Sequence, residues 1–345
     1  MAVAAPNLAY PIATLREHVT ALEAAITLAL ADPKPKAVHR LRTSTRRIEA
    51  LLILLDLLPG LPDHAKPVRK AAKLLKKLRR AAGAVRDLDV QQDLVPTLLP
   101  RADRHDTGTA ASDASPASDA NSTSEEHTDT DHSRHHQDRL HRHAKRLTDT
   151  LDRRREQEAA ALLTTLVKLQ SQLAPALEHL LDTLAPAADL SISPEELTAL
   201  TRDWYRHHLP ASARILTTGN PRLLHEVRKT AKLARYIAEI AAQSTPSTQS
   251  APALRTPLLT HRANHRPVAA KTPQQPGTSP AQIASEFEAV QQSGGAWHDL
   301  LTLADIARVH LGKRSPLTRH LEAARDGALE QYRHDFRKHR KNTGS

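Results

Sequence analysis

The sequence predicts an all-α protein that contains an internal repeat. Leu and Ala dominate the 345 residues, whereas glycine occurs only 10 times and aromatic residues make up 2% of the chain. No stretch shows the sustained alternation of β-branched and polar residues that is typical of strands. A basic pattern at helical spacing also occurs twice, 186 positions apart. Together these observations favour a helical fold built from two related segments.

The repeated pattern is one histidine followed by two basic residues at positions i, i+3 and i+7. It is formed by His39, Arg42 and Arg46 and again by His225, Arg228 and Lys232. At about 100° per residue, this spacing places each triplet on one narrow stripe of a helix. The opposite face is apolar in both copies. It consists of Leu41, Ile48, Leu51, Leu52 and Leu55, and of Val227, Ala231, Ala234, Ile237 and Ala238. Each copy is therefore predicted to be a helix with a core face and a cationic row.

Four helices are predicted in the first part of the chain. Residues 10–31 place apolar side chains at helical spacing, and the helix 38–58 stops at Pro59-Gly60. A third helix opens near Pro67, because proline is favoured in the first turn. The segment 134–184 is predicted to be one long helix, with Pro175 as its candidate interruption.

The third predicted helix concentrates positive charge. No acidic residue lies between His64 and Arg86. Like charges three and four positions apart destabilise a helix by roughly 0.2–0.5 kcal/mol per pair. A solvated surface helix usually offsets this repulsion with interspersed acids, so we interpret the row as a polyanion-binding surface. The row is made of Arg69, Lys73, Lys76, Lys77 and Arg80.

A second motif follows each copy of the basic pattern. The segment 83–88, which reads GAVRDL, is echoed by GAWHDL at 295–300. We interpret both segments as a turn followed by the start of a helix. Asp87 and Asp299 are then expected to be caps, or ion-pair partners that position a basic side chain, rather than catalytic acids.

The second part of the chain is predicted to be helical as well. Ser193 and Glu196 form a capping box, which marks the N-terminus of a helix. The remaining helices are predicted over 221–242, 281–292, 297–310 and 317–339.

Two low-complexity insertions interrupt this pattern. Residues 102–133 contain eight acidic residues and a single arginine, and residues 243–280 contain no acid. Neither segment can bury enough apolar surface to order itself, so both are predicted to be disordered. The opposite charges suggest the hypothesis that the acidic segment competes weakly for the basic surface.

The composition limits the possible functions. Lys and Arg number 49 against 38 acids, a formal net charge of +11, which favours a polyanionic partner. The absence of cysteine excludes disulfides, thiolate metal sites and a cysteine nucleophile, and it fits a reducing cytoplasm. The longest apolar run is too short to span a bilayer, so we expect a soluble protein in the cytoplasm with no membrane partner.

Six histidines crowd the start of the long helix and the segment before it. They are His127, His132, His135, His136, His141 and His143. A pair one helical turn apart could bind a metal ion, but no ordered carboxylate is placed to complete such a site. We therefore expect neither a dedicated metal site nor a cofactor.

The two repeated motifs together resemble the CHAD family, the conserved histidine α-helical domain. The resemblance is carried by Val38-His39-Arg40-Leu41-Arg42 with Arg46 and Arg47, by Arg86-Asp87-Leu88-Asp89-Val90, and by Leu224-His225-Glu226-Val227-Arg228-Lys229 with Lys232, Arg235 and Tyr236. It covers residues 9–341 as a single domain, with a first half over 9–185 and a second half over 193–341. The Glu-x-Glu-x-Lys mark of the triphosphate tunnel domain, to which family members are often fused, is absent from this chain.

The resemblance implies two four-helix bundles related by an internal pseudo-twofold axis, with basic helices lining a central cleft or pore. It also implies non-catalytic binding of long-chain inorganic polyphosphate, at cytoplasmic polyphosphate granules in some members. The binding residues predicted here are His39, Arg42, Arg46, Arg47, Arg69, Lys73, Lys76, Lys77, Arg80, His225, Arg228, Lys229, Lys232 and Arg235. Because the segment 281–292 contains no base, we expect a binding surface that is heavier on the first half.

Two other functions compete with this prediction. Nucleic-acid binding would use the same charge, but the chain has few aromatic residues for base stacking and no base-reading motif. A phosphohydrolase could use His39, His225, Asp87 and Asp299. Hydrolysis of phosphates usually needs clustered carboxylates that hold Mg²⁺, and the acids here are dispersed.

Overall fold

The computed structural model describes residues 8–99, 126–209, 220–243 and 280–343. Its first half contains four α-helices, preceded by the two-residue strand β1, Leu8–Ala9. They are α1 (Ile12–Ala31), α2 (Pro35–Leu57), α3 (Ala65–Thr97) and α4 (Glu126–Leu184). Proline occupies the first turn of α2, where its missing N–H costs nothing. Gly60, at φ +75°, makes the turn that leads from α2 towards α3.

The described residues of the second half form four more α-helices. A 3₁₀ turn (Ala185–Ala187) and strand β2 (Ser191–Ile192) lead into it. The helices are α5 (Pro194–His208), α6 (Pro221–Gln243), α7 (Pro280–Leu311) and α8 (Pro316–Thr343). The hydroxyl of Ser193 accepts a hydrogen bond from the N–H of Glu196 at 3.1 Å, as the capping box predicts. The all-α prediction is confirmed, and the antiparallel pair of β1 and β2 only joins the N-terminus to the link between the halves.

Consecutive helices pack against each other in both halves, and α2 of the first half contacts α6 of the second. One hydrophobic core runs through both halves and includes Leu15, Leu51, Val227 and Val290. The predicted apolar faces of α2 and α6 are buried in it, with at most 3% of any of these side chains exposed. A smaller core joins the ends of α3 and α7 to the starts of α4 and α8. The pseudo-twofold relation of the halves stays a prediction.

The predicted turns at the two GAxxDL motifs are wrong. Gly83 lies inside α3, and α7 is one continuous helix over the range predicted as two short ones. The glycine that directly precedes the second motif instead permits close helix packing. A Cβ atom on Gly294 would lie 2.9 Å from the ring of Tyr332, which is closer than real side-chain contacts. The glycine therefore lets α8 approach α7, and the helix does not end there.

The insertions fall largely outside the described residues. Those residues leave out 100–125, 210–219 and 244–279. Helix α4 begins at Glu126, so residues 126–133 of the first predicted insertion belong to a helix. Pro175 lies within α4 and does not end it. In the described part of the chain, no helix is long and apolar enough to cross a membrane.

Candidate anion-binding site

A basic cleft of about 610 Å³ lies where α2 crosses α6, with α3 and α7 completing its walls. The cationic part of its lining is His39, Arg42, Arg46, Arg47, Arg86, Arg228, Lys232 and Arg235. Seven of these residues were predicted from the sequence. The repeated spacing places each basic row on the face opposite the buried apolar side chains, and the packing of α2 against α6 brings the two rows together.

Two predicted residues lie beside the cleft instead of lining it. The ring of His225 packs against that of His298, with 4.7 Å between the ring centroids, and the Nδ1 atoms of both rings are buried without a hydrogen-bond partner. The Nζ atom of Lys229 is 2.9 Å from a carboxylate oxygen of Glu226 on its own helix. His225 therefore supports the wall of the cleft, and Lys229 is already paired.

The basic row of α3 lies elsewhere. Arg69, Lys73, Lys76, Lys77 and Arg80 are all exposed, and none of them lines the cleft. Their part in polyanion binding stays a prediction. Arg79, on the same helix but outside this row, turns towards α2 instead. Its Nε is 2.8 Å from a carboxylate oxygen of Glu49.

Some cleft residues were not predicted. Arg86 lies between the rows of α2 and α6, and Tyr236 closes one end beside Gln291 and Gln292. Arg86 stands directly before Asp87 in the repeated GAxxDL motif, which was the available signal. The Nζ atom of Lys232 lies 5.9 Å from the centroid of the Tyr236 ring, a cation–π distance.

Asp87 has the role of an ion-pair partner. One of its carboxylate oxygens is 3.0 Å from Nη1 of Arg42, so α3 holds the central arginine of α2 in the cleft. This outcome agrees with the ion-pair interpretation of the motif. Asp89, two residues later, is buried and accepts a hydrogen bond from Nε of Arg155 at 2.7 Å, which ties α4 to α3.

Positive charge in the cleft is only partly compensated. Arg235 is paired with Glu239 at 2.6 Å, and Arg46 is 3.8 Å from Glu49, which Arg79 already occupies. Within the described residues, Arg228 and Lys232 make no ion pair. The Nε atoms of Arg46 and Arg228 are also buried without a hydrogen-bond partner. Unpaired buried donors are costly, so the cleft is poised for an anion that supplies acceptors.

The pKa shifts report the same excess of charge. Burial, followed by the repulsion of Arg42, Arg46 and Arg228, lowers the pKa of Lys232 to about 7. Burial and the neighbouring arginines also lower the pKa of Arg46 to about 10. The carboxyl group of Asp299 does not reverse this balance, since burial raises its pKa. Lys232 thus sits at the most crowded point of the cationic cluster.

No group of three or more potential metal ligands occurs among the residues that the structure describes. His135, His136 and His141 are exposed on α4. The side chains of His127 and His132 lie outside the described part of the chain. His143 has a different role, because its Nδ1 lies 2.8 Å from the hydroxyl of Ser315 and links α4 to the start of α8.

Comparison with protein families gives a match over most of the chain. The model of the CHAD domain matches residues 13–308. The chain belongs to the CHAD family. This CHAD domain shares its fold with the crystal structure of the CHAD domain from the plant Ricinus communis, which is 16% identical, with a TM-score of 0.51 over 100% of this chain and 95% of that one.

A further structural match is PptA from Streptomyces chartreusis, at 14% identity, with a TM-score of 0.46 over 96% of each chain. None of the curated proteins that were compared matches this CHAD domain.

The burial of Lys232 among other cations leads to a prediction about the stability of the protein without a ligand. Replacing Lys232 with Met removes a buried cation that repels its neighbours, and we expect the free energy of unfolding to rise by about 1–4 kcal/mol at neutral pH. Chemical denaturation measures the change. Lys168→Met, on the exposed face of α4, is the control and should change stability little.

The pH dependence has a defined sign. The pKa of Lys232 is about 7 in the folded protein and has its ordinary value of 10.5 in the unfolded chain, so the unfolded state binds more protons between these values. The destabilisation of the folded protein by buried, charged Lys232 is therefore complete below pH 7. It disappears as the pH rises towards 10.5. The advantage of Lys232→Met should shrink over the same range, and a constant advantage would contradict the assignment.

Proposed function

We propose that the cleft binds long-chain inorganic polyphosphate without hydrolysing it. The observation that carries this proposal is the convergence of unpaired cations from two helices in one cleft, with guanidinium nitrogens of Arg46 and Arg228 buried and lacking acceptors. A chain of phosphates provides closely spaced acceptors that could meet each of these donors. Membership of the CHAD family supports the same ligand. The proposal places the protein in the cytoplasm, at polyphosphate granules.

The residue types suit phosphate oxygens. Arginine can hold two oxygens at once in a fixed planar geometry, whereas lysine supplies a movable point charge. Arg42 and Arg228 lie on different helices and close to the same buried carboxyl group, that of Asp299. A phosphate chain passing between them could contact both halves of the protein.

The cleft is less suited to nucleic acids. Among the described residues, Tyr236 is the one Phe, Trp or Tyr side chain in its lining, and it already faces Lys232. Single-stranded nucleic acids gain much of their affinity from stacking of bases on aromatic rings. A ligand without bases loses nothing in such a cleft, which favours polyphosphate.

The acids of the cleft support binding without catalysis. Within its lining, Glu239 is paired with Arg235. Asp299 is close to Arg228, Arg42 and Lys232, and Asp87, beside the lining, is paired with Arg42. Carboxylates that already neutralise protein cations are poor ligands for a catalytic Mg²⁺ ion, because that ion would have to displace the arginines. We therefore propose a binding protein and not a phosphohydrolase.

Removing the positive charges of Arg228 and Lys232 on α6 should abolish specific binding of polyphosphate. Arg228→Gln combined with Lys232→Gln removes two charge-assisted contacts, and we expect polyphosphate affinity to fall about 100-fold or more while the helical circular dichroism is retained. Arg337→Gln with Lys338→Gln, exposed on α8, is the charge-matched control. Competition with single-stranded and duplex DNA completes the test. Displacement of polyphosphate at equal phosphate concentration would favour the nucleic-acid alternative.

Binding should also take up a proton. In the free protein at pH 8, Lys232 is mostly neutral because it is buried and faces Arg42 and Arg46 on α2 and Arg228 on α6, with Asp299 on α7 offsetting them only in part. A bound polyanion would restore its pKa, so we expect uptake of about one proton per site. Calorimetry in buffers of different ionisation enthalpy measures this number. Lys232→Met should reduce it to near zero.

Purified protein should leave the polymer intact. We expect no release of orthophosphate from polyphosphate in the presence of Mg²⁺, because no free pair of carboxylates among the described residues is placed to hold the ion in the cleft. A sensitive phosphate assay over hours provides the measurement. Release that disappears in an Asp299→Asn variant would establish the phosphohydrolase instead.

A further inference from the structure

A second groove opens directly from the basic cleft. It has a volume of about 580 Å³ and runs along the N-terminal part of α2, between that helix and α3. Four residues line both spaces, namely His39, Thr43, Arg47 and Arg86. The cleft and the groove are therefore one continuous surface, with His39 at their junction.

The groove adds unpaired cations to this surface. Lys36 and Arg40 line it and are exposed, and neither makes an ion pair with any residue that the structure describes. Arg47 likewise has no acidic partner in this part of the chain. Arg86 has only a weak one, since its Nη1 is 3.9 Å from Asp89, whose other oxygen is bonded to Arg155. The one acid in the lining, Asp93, is exposed.

His39, at the junction of the cleft and the groove, lies close to several cations. The pKa of His39 is lowered by its burial, and then by Arg86 on α3, Lys232 on α6 and Arg42 on α2. His39 is therefore acted on by Arg86, which lines both spaces, and by two cations of the cleft. A string of phosphates that passes this residue would meet positive charge on both sides of it.

The described part of the second half lacks this extension. With the offset of 186 positions, Lys36 corresponds to Arg222, but Arg40 corresponds to Glu226 and Arg47 to Leu233. Glu226 also forms an ion pair with Lys229, at 2.9 Å. Among the residues that the structure describes, the cationic path therefore continues from the cleft along α2 and not along α6.

We propose that the groove between α2 and α3 is a second phosphate-binding subsite, through which a polyphosphate chain leaves the cleft over Lys36 and Arg40. This proposal rests on the function proposed for the cleft. It gives the polyphosphate an exit from the cleft on the side of α2 and α3. It also explains why the basic surface is heavier on the first half of the protein. Ligands short enough to be held by the cleft would not use the subsite, whereas longer chains would.

Affinity as a function of chain length tests the subsite. We expect Lys36→Gln with Arg40→Gln to weaken binding of long-chain polyphosphate about 5- to 20-fold and to lower the slope of log affinity against log salt by about 1–2. Tripolyphosphate should bind this variant within about twofold of the original protein. Asp93→Asn removes the acid at the groove and should tighten binding of the long chain. Both variants alter exposed side chains, and circular dichroism verifies their fold.

Arg337→Gln with Lys338→Gln again provides the charge-matched control, because these residues line neither the cleft nor the groove. A long-chain affinity of the Lys36 and Arg40 variant equal to that of the control would overturn the subsite. An equal loss for tripolyphosphate and for long chains would also overturn it, since the effect would then be one of general charge. Failure of the unaltered protein to bind any polyphosphate at low salt would instead reject the function proposed for the cleft.

Discussion

The structure depends on the burial of two apolar helix faces that carry like charges on their other side. Leu41 and Ile48 of α2 and Val227 and Ile237 of α6 are fully buried, and a buried side chain of this size contributes about 1.5–3 kcal/mol. The sum over both faces exceeds the repulsion between the cationic rows at the crossing. Hydrophobic packing thus fixes the cations in positions that they would not occupy on electrostatic grounds alone. The preorganised cleft is a consequence of that imbalance.

Close helix packing in the second half supports the same arrangement. Gly294 of α7 allows the ring of Tyr332 to lie against the helix backbone, and the hydroxyl of Tyr332 donates a hydrogen bond to the carbonyl oxygen of Leu224 at 3.0 Å. This bond joins α8 to the first turn of α6, immediately before His225. Helix α7 carries His298 and Asp299 into the wall of the cleft from the other side. The position of the second basic row is therefore set by contacts that involve three helices.

Much of the fold and part of the site could be predicted from local patterns. The spacing of His39, Arg42 and Arg46 and of their repeat predicted the helices and their basic faces, whereas a shared cleft was implied by the resemblance to the CHAD family. The continuity of α3 and α7 could not be predicted, because glycine is a turn signal locally. In α7, only the approach of Tyr332 shows the packing role of Gly294. The exposed row of α3 had the strongest charge signal but lies outside the cleft, since charge density along a helix does not specify which neighbour the helix faces.

The single lysine at the crossing has a physical explanation that differs from that of the arginines. At the offset of 186 positions, Lys232 occupies the place of Arg46, so the two halves present different cations to the same crowded space. An arginine remains charged in nearly every protein environment, whereas a lysine can lose its proton when it is buried among cations. The lowered pKa of Lys232 reduces the repulsion in the cleft, and under the proposed function a bound polyanion would raise that pKa again. Lysine at this position therefore gives the cleft a cation whose charge can respond to the proposed ligand, which an arginine does not.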